Sequence, residues 1–314
     1  MPTTVGRKGE FIGIIKKSVK QCCKCDRPVL SVHSMYCLRC ARLAFRMKVR
    51  RFSPDAVEEV WKYLRAFDYR CFYTKLPLEM QDIRSPWFCV FDHLIPLDPN
   101  HIVLTCALIN EMKSALSERE FWFYVEQLAD FIDQHKKIKK IKLAYWRHSS
   151  YGHGKGKCGR GRIIDWGPRG RGNKCDLCGR PVFNVHAKYC LRCSHFAHRL
   201  ELQGFGKKTV EDILDHVRRR GFTCFYTGMP LDMTDDRSPW YGVFDRVTPG
   251  DPSKVVLTSA LFNEMKSDLS IKEFWYYIRQ LANYKRYHSK IRKKKLVYWY
   301  RLTSKELYFK SFRD

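Results

Sequence analysis

Two groups of four cysteines have the spacing of ligands in tetrahedral metal sites. In each group, two Cys-x-x-Cys pairs are separated by eleven residues. Each pair is expected to form a tight turn, and the chain between the pairs brings the two turns together around one Zn²⁺. The first group is Cys22, Cys25, Cys37 and Cys40, and the second is Cys175, Cys178, Cys190 and Cys193. The spacing predicts two structural zinc sites, each contributing on the order of 10 kcal/mol of folding free energy.

Other interpretations of these segments stay open. The pairs also fit a redox dithiol or plain buried thiols. His33 and His186 lie inside the loops as rival ligands, although four cysteines already complete a zinc coordination shell. The position equivalent to Cys23 in the second group is Asp176, which favours Cys22 as the ligand. Four arginines in the same segments fit either a nucleic-acid contact or solvated surface charge: Arg27, Arg39, Arg180 and Arg192.

The chain contains one unit twice, in the same order, at an offset of 153 residues. The offset carries Cys71-Phe72-Tyr73-Thr74 onto Cys224-Phe225-Tyr226-Thr227, and Asn110-Glu111-Met112-Lys113 onto Asn263-Glu264-Met265-Lys266. No insertion or deletion interrupts the match, so the two copies should share one fold. Between them, residues 147–174 contain eight glycines and eight Lys or Arg against a single acid, Asp165. This composition predicts a flexible, basic linker.

A second set of polar residues in the first copy suits phosphodiester hydrolysis. Asp92 and His93 are adjacent, His101 follows, and Asn110 and Lys113 lie three residues apart in a short predicted helix. Hydrolysis of a phosphodiester needs a base that deprotonates water and a cation that stabilises charge on the phosphate. A histidine suits the first task, and carboxylate and amide oxygens suit a hard cation such as Mg²⁺.

The order of these residues, in its Tyr-Thr-x-x-Pro-Leu, Ser-Pro-Trp and Phe-Asp-His context, resembles the HNH (His-Me finger) endonucleases. That family has a β-hairpin with an Asp-His or His-His pair, a loop with a middle Asn or His, and a helix with Asn or His followed three residues later by Lys. The resemblance covers about 71–113 and, in weaker form, 224–266. It implies that His93 is the general base and that Asp92 and Asn110 hold one Mg²⁺ or another divalent cation. It further implies that His101 orients His93 or the phosphate, and that Lys113 contacts a phosphate or caps the helix.

The second copy departs from the family pattern at both histidine positions. Arg246 stands where the first copy has His93, and Lys254 stands where it has His101. A guanidinium is permanently protonated and cannot take a proton from water near neutral pH. The second copy is therefore predicted to be inactive as a nuclease and to bind phosphate instead.

Two further observations leave room for a structural role of the same positions. Asp245 and Asn263 occur in the copy that has no general base, so the aspartate and asparagine at these positions could partly stabilise the fold. His93 itself could be a structural residue or a remnant of a lost active site. Many family members also carry two additional Cys-x-x-Cys pairs. Here only isolated cysteines occur in that region, at Cys71, Cys89 and Cys106. Aromatic side chains are then expected to hold the fold together.

Capping signals and periodicity predict the elements that position these residues. Ser53 and Pro54 predict the start of a first helix, and its counterpart is predicted to run from Thr209 to Gly221. A longer helix in each copy opens with a capping box, Ser117-x-x-Glu120 and Ser270-x-x-Glu273. Its apolar face is expected to pack in the core and consists of Phe121, Tyr124, Val125, Leu128 and Ile132.

The formal net charge of +27 favours an anionic partner. Nucleic acid is favoured over a membrane because no apolar run approaches the roughly 18 residues that cross a bilayer. An apolar fraction of 45% and an aromatic fraction of 14% are enough to build folded cores. No secretion signal is recognised, so we expect an intracellular protein in the cytoplasm, the nucleoid or an organelle. Protein partners are not predicted.

Basic segments interleaved with aromatic residues are predicted to contact nucleic acid, with DNA favoured and RNA as the other candidate. The alternatives are solvated charge for the basic runs and a plain spacer for the linker. The predicted contacts are Arg246, Lys254, Lys136, Lys137, Lys139, Lys140, Lys142, Arg160, Arg162, Arg169, Arg171, Lys290, Arg292, Lys293, Lys294 and Lys295.

The predicted fold class is α+β, with two tandem copies of a four-cysteine zinc module followed by an HNH-like ββα-metal domain with additional helices. The predicted segments are a basic arm (1–20), zinc module 1 (21–50), HNH-like domain 1 (51–146), the linker (147–174), zinc module 2 (175–204), HNH-like domain 2 (205–299) and a tail (300–314). The leading hypothesis is a metal-dependent endonuclease, of the homing or mobile-element kind, with a catalytic first copy and a binding second copy. The alternative is a non-catalytic RNA- or DNA-binding ribonucleoprotein component that uses a degenerate HNH scaffold.

Overall fold

A computed structural model describes residues 20–29, 31, 33–96, 98, 100–140, 142–143, 174–182, 187–293 and 296. The predicted N-terminal arm before residue 20, the linker before residue 174 and the C-terminal tail lie outside these residues. So do His186, Arg160, Arg162, Arg169, Arg171, Lys294 and Lys295. The described residues combine helices with antiparallel strands, which confirms the α+β class. Among them, no helix has the length and apolar character needed to cross a membrane.

The chain divides into two compact units, which are described separately. The first unit comprises residues 1–107 and 302–314, and the second comprises residues 108–301. The division falls within the first sequence copy and not in the linker. The first unit therefore holds most of the first copy, and the second unit holds the end of the first copy and the whole of the second.

The first unit is built from two helices and a β-hairpin: α1 (Leu38–Val49), α2 (Pro54–Phe67), β1 (Cys89–His93) and β2 (Ile102–Cys106). Helix α2 begins as predicted, because Ser53 Oγ accepts a hydrogen bond from the Ala56 backbone N–H. The strands pair antiparallel, with Cys89 opposite Cys106 and His93 opposite Ile102. His93 thus lies at the end of β1 where the connection to β2 begins.

Helix α1, which the sequence reasoning did not predict, ties the first cysteine group to the hairpin. Its inner face buries Cys40, Leu43 and Met47. Arg46 donates from Nη1 to the Cys89 carbonyl at 2.7 Å, and its guanidinium lies over the Phe91 ring at 5.0 Å. Burial lowers the pKa of Arg46 below its ordinary value. Helix α1 thus contributes a largely buried cation that packs against an aromatic ring of β1.

The second unit contains the remaining elements. In chain order they are α3 (Ala107–Lys113, whose first residue ends the first unit), α4 (Glu118–Gln134), α5 (Leu191–Leu202), α6 (Lys207–Arg220), β3 (Gly242–Arg246), β4 (Val255–Ser259), α7 (Ala260–Lys266) and α8 (Ile271–Tyr287). Helix α6 begins two residues before the predicted Thr209, with Gly206 as N-cap, and ends before Gly221 as predicted. Helix α5, like α1, was not predicted. Strands β3 and β4 pair antiparallel in the register of the first hairpin.

Both predicted capping boxes are present at the starts of α4 and α8. Of the predicted apolar face of α4, Ile132 is only half-buried, whereas the other four members are buried: Phe121, Tyr124, Val125 and Leu128. Helix α4 packs against α8 within the second unit. The core prediction for this helix is therefore confirmed, apart from its last turn.

Two reciprocal hydrogen bonds join the ends of the two copies inside the second unit. Ser114 Oγ donates to Glu264 at 2.5 Å, and Ser267 Oγ donates to Glu111 at 2.6 Å. Ser267 is the repeat equivalent of Ser114, and Glu264 is the repeat equivalent of Glu111, so the two hydrogen bonds are equivalent. Contacts of this kind are those of a two-fold symmetric dimer interface, here made between two segments of one chain.

Candidate functional site

The first four-cysteine group comes together as predicted. All four sulfur atoms lie within 4.8 Å of one another, and Cys25 Sγ is 3.5 Å from Cys37 Sγ. Zn–S bonds of about 2.3 Å in a tetrahedron place the sulfurs roughly 3.8 Å apart, so the group fits a zinc ion. Cys23 is exposed and does not belong to the group, and neither does the exposed His33.

Two different local structures supply the ligand pairs. The Cys22–Cys25 pair lies on a tight turn closed by a hydrogen bond from the Cys22 N–H to the Arg27 carbonyl, at 2.8 Å. The second pair lies at a helix start, because Cys37 is the N-cap of α1 and Cys40 is in its first turn. The module is therefore a turn facing a helix N-terminus, which corrects the expectation that each cysteine pair forms a tight turn.

The second group repeats this geometry. Its four sulfurs also lie within 4.8 Å of one another, and Cys178 Sγ is 3.6 Å from Cys190 Sγ. Cys190 is the N-cap of α5, and Cys193 lies in its first turn. Both sets of cysteines predicted from the spacing are thus arranged so that each could hold one metal ion.

The cysteines of each group differ in how readily they release a proton. Burial acts to raise the pKa of Cys22, but hydrogen bonds from backbone N–H groups, first that of Cys37, outweigh it and lower the pKa to about 7. The same balance lowers the pKa of Cys175 to about 7. Burial instead raises the pKa of Cys25 to about 11. A metal ion binding here displaces the remaining thiol protons, since the thiolate is the ligand.

Tyr69 is a neighbour of the first cysteine group that the sequence reasoning missed. Its hydroxyl lies 3.0 Å from Cys40 Sγ, and both side chains are buried. The equivalent residue in the second copy is Phe222, which has no hydroxyl. Hydrogen bonds to ligand sulfurs tune metal sites, so the two groups are not chemically identical.

The β1–β2 hairpin places Asp92 and His93 at its loop end, next to the connection between the two strands. Asp92 is 5% exposed, and one carboxylate oxygen, Oδ2, accepts a hydrogen bond of 2.5 Å from the Tyr73 hydroxyl. His93 Nδ1 lies 2.6 Å from the backbone carbonyl of Asp98. A carbonyl only accepts, so Nδ1 carries the proton and the neutral ring has its basic lone pair on Nε2.

Asp98 is a second residue that the sequence reasoning missed. Its carboxylate Oδ2 lies 2.6 Å from Nδ1 of the exposed His101, and its Oδ1 accepts from the Asn100 backbone N–H. The Asn100 N–H and then His101 hold the pKa of Asp98 below its ordinary value. One residue thus orients both histidines of the first copy, one through its carbonyl and the other through its carboxylate. The sequence contains one signal that could have identified Asp98: the equivalent loop position of the second copy is also an aspartate, Asp251.

Asn110 and Lys113 lie on α3, and both belong to the second unit. Asn110 is half-buried, and its carbonyl accepts the Ser114 N–H that ends the helix. Lys113 is 1% exposed. Burial of this ammonium favours a structural role over direct contact with a phosphate from solvent.

The equivalent constellation of the second copy lies wholly within the second unit. Lys266 Nζ lies 3.1 Å from Asp245 Oδ1 and 2.9 Å from the Arg246 carbonyl. The Tyr226 hydroxyl donates to the other carboxylate oxygen, Oδ2. Burial raises the pKa of Asp245, and the Lys266 ammonium acts in the opposite direction. Both oxygens of Asp245 are engaged, so this carboxylate does not fit a divalent-cation site.

The predicted nucleic-acid contacts of the second hairpin are exposed. Arg246 ends β3, Lys254 precedes β4, and the Val247 N–H donates to the Lys254 carbonyl at 2.9 Å. Their backbone is therefore fixed by the hairpin while their side chains reach solvent.

Each basic tail has one buried isoleucine, Ile138 or Ile291. The next residue donates its backbone N–H to a glutamine of the preceding helix, from Lys139 to Gln127 and from Arg292 to Gln280. Most of the predicted lysines around them are exposed: Lys136, Lys137, Lys139, Lys142, Lys290 and Lys293, with Arg292. Lys140 differs, because its ammonium donates to the Pro230 carbonyl at 2.7 Å and lies over the Trp240 ring. Lys140 thus helps to fix the tail in the second unit.

Comparison of the chain with protein-family models, with curated proteins and with solved structures gives no match. A functional proposal therefore rests on the described geometry and on the sequence resemblance.

Proposed function

We propose that the chain is a metal-dependent endonuclease of HNH type that hydrolyses phosphodiester bonds of nucleic acid, with DNA favoured over RNA. The first copy is the catalytic one, and the second copy binds nucleic acid. The observation that carries the proposal is the orientation of His93 by the Asp98 carbonyl at the loop end of the β1–β2 hairpin.

In this proposal His93 is the general base. The hydrogen bond at Nδ1 fixes the ring and leaves Nε2 as the basic nitrogen, which removes the proton from the attacking water. Asp92 and Asn110 have the oxygen ligands that suit Mg²⁺. The divalent cation that the resemblance implies would supply charge stabilisation at the scissile phosphate. His101, which contacts Asp98, would orient His93 or the phosphate.

The second copy suits binding better than catalysis. Arg246 replaces the base, and the Asp245 carboxylate is taken up by Tyr226 and Lys266. Two similar modules joined by a long linker can contact an extended target or two half-sites, as in a homing or mobile-element nuclease.

One observation favours the second candidate function, a non-catalytic RNA- or DNA-binding component. The buried Lys266–Asp245 pair shows that the Lys and Asp positions can serve the fold alone. Lys113 occupies the same repeat position as Lys266 and is equally buried, at 1% exposure. If Asp92 is also structural, the chain would bind nucleic acid and not cleave it.

A cleavage assay with wild type and His93→Ala separates the two functions. Each protein is incubated with duplex DNA, single-stranded DNA and structured RNA, in Mg²⁺ or in EDTA. We expect cleavage that requires Mg²⁺ and falls by about 10²- to 10⁴-fold in the variant. Arg246→Ala, at the equivalent position of the second copy, is the matched control and should cleave at the wild-type rate once substrate is saturating.

Zinc content and circular dichroism of both variants establish that they are folded. Tight binding without cleavage by any of the three proteins would support the non-catalytic function. Equal cleavage by wild type and His93→Ala would show that His93 is not the base.

A further inference from the structure

A basic cavity of about 890 Å³ lies beside the second cysteine group, inside the second unit. The turn of Cys175–Cys178 forms one wall, and the start of α5, the end of α6 and residues 221–223 and 230–231 form the others. Three arginines line it, Arg180, Arg192 and Arg218, together with one acid, Asp176. Arg218 already forms an ion pair with Asp215 at 2.6 Å. Within the described residues, neither Arg180 nor Arg192 forms an ion pair with Asp176 or with another acid.

Arg192 is held in place but incompletely bonded. Its guanidinium lies over the Phe222 ring, 4.4 Å from the centroid. Its Nε is buried and has no hydrogen-bond partner among the described residues. A buried donor without an acceptor is unfavourable, and an anionic ligand in the cavity is one source of an acceptor.

The first copy shows what neutralises the equivalent charge there. Arg27, the counterpart of Arg180, donates to both carboxylate oxygens of Asp68 at 2.7 and 3.0 Å. The residue at the position of Asp68 in the second copy is Gly221. No ion pair of Arg180 is found within the described part of the chain, so its guanidinium lacks the internal carboxylate of the first copy.

We propose that this cavity is a phosphate-binding site for the backbone of a nucleic acid in the second copy. In the first copy the Asp68 carboxylate already binds the equivalent arginine, Arg27. The proposal rests on the proposed nucleic-acid function and names the place where the second copy binds. A guanidinium presents several donors in one plane and suits phosphate oxygens. The negative charge of a four-thiolate zinc site would be common to both copies. The second copy has Asp176 at the cavity, at the position of Cys23, but no ion pair between Asp176 and Arg180 is found among the described residues. The pairing that Arg27 makes with Asp68 is therefore lost at Gly221.

The backbone at Gly221 allows a direct test. Its φ is +70°, and Asp68 adopts φ of +55° at the equivalent position. A Cβ added at Gly221 would meet nothing within 4 Å. Gly221→Asp therefore places a carboxylate where Asp68 has one, and Gly221→Asn is the matched control of similar size without the charge.

Affinity for a labelled DNA duplex of about 20 base pairs is measured by fluorescence anisotropy in EDTA, at several salt concentrations. We expect Gly221→Asp to bind about three- to tenfold more weakly than Gly221→Asn at moderate salt, with a shallower salt dependence. Arg180→Gln should weaken binding similarly, whereas Arg27→Gln in the first copy should not. Zinc content of each variant checks that the cysteine group is intact.

The outcomes separate this inference from the proposed function. If wild type shows salt-dependent binding but Gly221→Asp equals Gly221→Asn and Arg180→Gln equals Arg27→Gln, the cavity is not the site and nucleic-acid binding stands. If wild type binds neither duplex DNA nor structured RNA, the proposed function and this inference are both overturned.

Discussion

The Asp245 carboxylate is buried, and its charge is balanced mainly by the ammonium of Lys266, 3.1 Å away. Tyr226 completes the group by a hydrogen bond to the second oxygen. A pair of this kind adds little stability relative to apolar residues, but breaking it leaves one charge buried without compensation. Replacing one partner alone is therefore expected to lower the free energy of unfolding strongly, and replacing both is expected to lower it much less.

Lys266→Met tests this expectation. Loss of the ammonium should destabilise the fold by about 3 kcal/mol or more, because the buried carboxylate loses the cation that balances its charge. The double variant with Asp245→Asn should recover most of the loss. Chemical denaturation followed by tryptophan fluorescence measures the change, with the exposed Lys272→Met as control. Equal stability of Lys266→Met and Lys272→Met would contradict the structural role of the pair.

The sequence identified candidate site residues of the first copy but not all of the residues that contact them. The resemblance to the HNH family pointed to Asp92, His93 and His101. It could not show that Tyr73 and Asp98 hold these side chains, because those contacts depend on how the hairpin and its loop close. The burial of Lys113 likewise follows from packing and not from local sequence.

Helices α1 and α5 position the last two cysteines of each four-cysteine group. Each begins at the third cysteine of its group, so the fourth ligand lies in the first helical turn. A metal ion would fix the start of the helix relative to the preceding turn. Arg46 of α1 then contacts the β1–β2 hairpin, which links the metal site to the elements that carry His93.

Cys40→Ser should lower the metal content from two zinc ions per chain to about one, because a tetrahedral zinc site tolerates loss of a thiolate poorly. It should also reduce helicity, since α1 loses its anchor. Metal analysis of purified protein measures the stoichiometry, and Cys23→Ser, outside the group, is the control. Wild type with well under two zinc ions per chain would contradict the assignment of both sites.

The sequence predicted the helices that have strong start signals and missed those that do not. Ser53-Pro54 marked α2, and the capping boxes marked α4 and α8. Helix α1 starts at Cys37, which makes no side-chain capping bond, so nothing local distinguishes it from a second cysteine turn. Gly206 at the start of α6 gives a similarly weak signal, which explains the two-residue error there.

At the scale of the whole molecule, the second unit joins the end of the first copy to the second copy through matched elements. Glu111 accepts a hydrogen bond from Ser267 in this interface. Burial, with a smaller contribution from Asp268, raises the pKa of Glu111 to about 7. The folded chain therefore holds a proton on Glu111 that the unfolded chain releases at lower pH.

This difference predicts a pH-dependent stability with a definite sign. Below the unfolded pKa of about 4.5 the residue is protonated in both states, and stability is lost as pH rises from there to about 7. Glu111→Gln removes this effect, so at pH 8 it should be more stable than wild type, by at most about 3 kcal/mol, and near wild type at pH 4.5. Denaturation at the two pH values measures the difference. A constant gap between the two proteins would show that Glu111 does not titrate in this range.

The sequence by itself determined the duplication, the two cysteine groups, the α+β class and the net charge of +27. These follow from spacing, periodicity and composition, which are local or additive properties of the chain. Only the tertiary structure decided that Asp98 orients both histidines, that Lys266 neutralises Asp245, and that Gly221 leaves Arg180 without the carboxylate found in the first copy. The last two depend on residues from different segments meeting, which is fixed by packing and not by sequence spacing. The first lies within one loop and depends on how the connection between β1 and β2 closes.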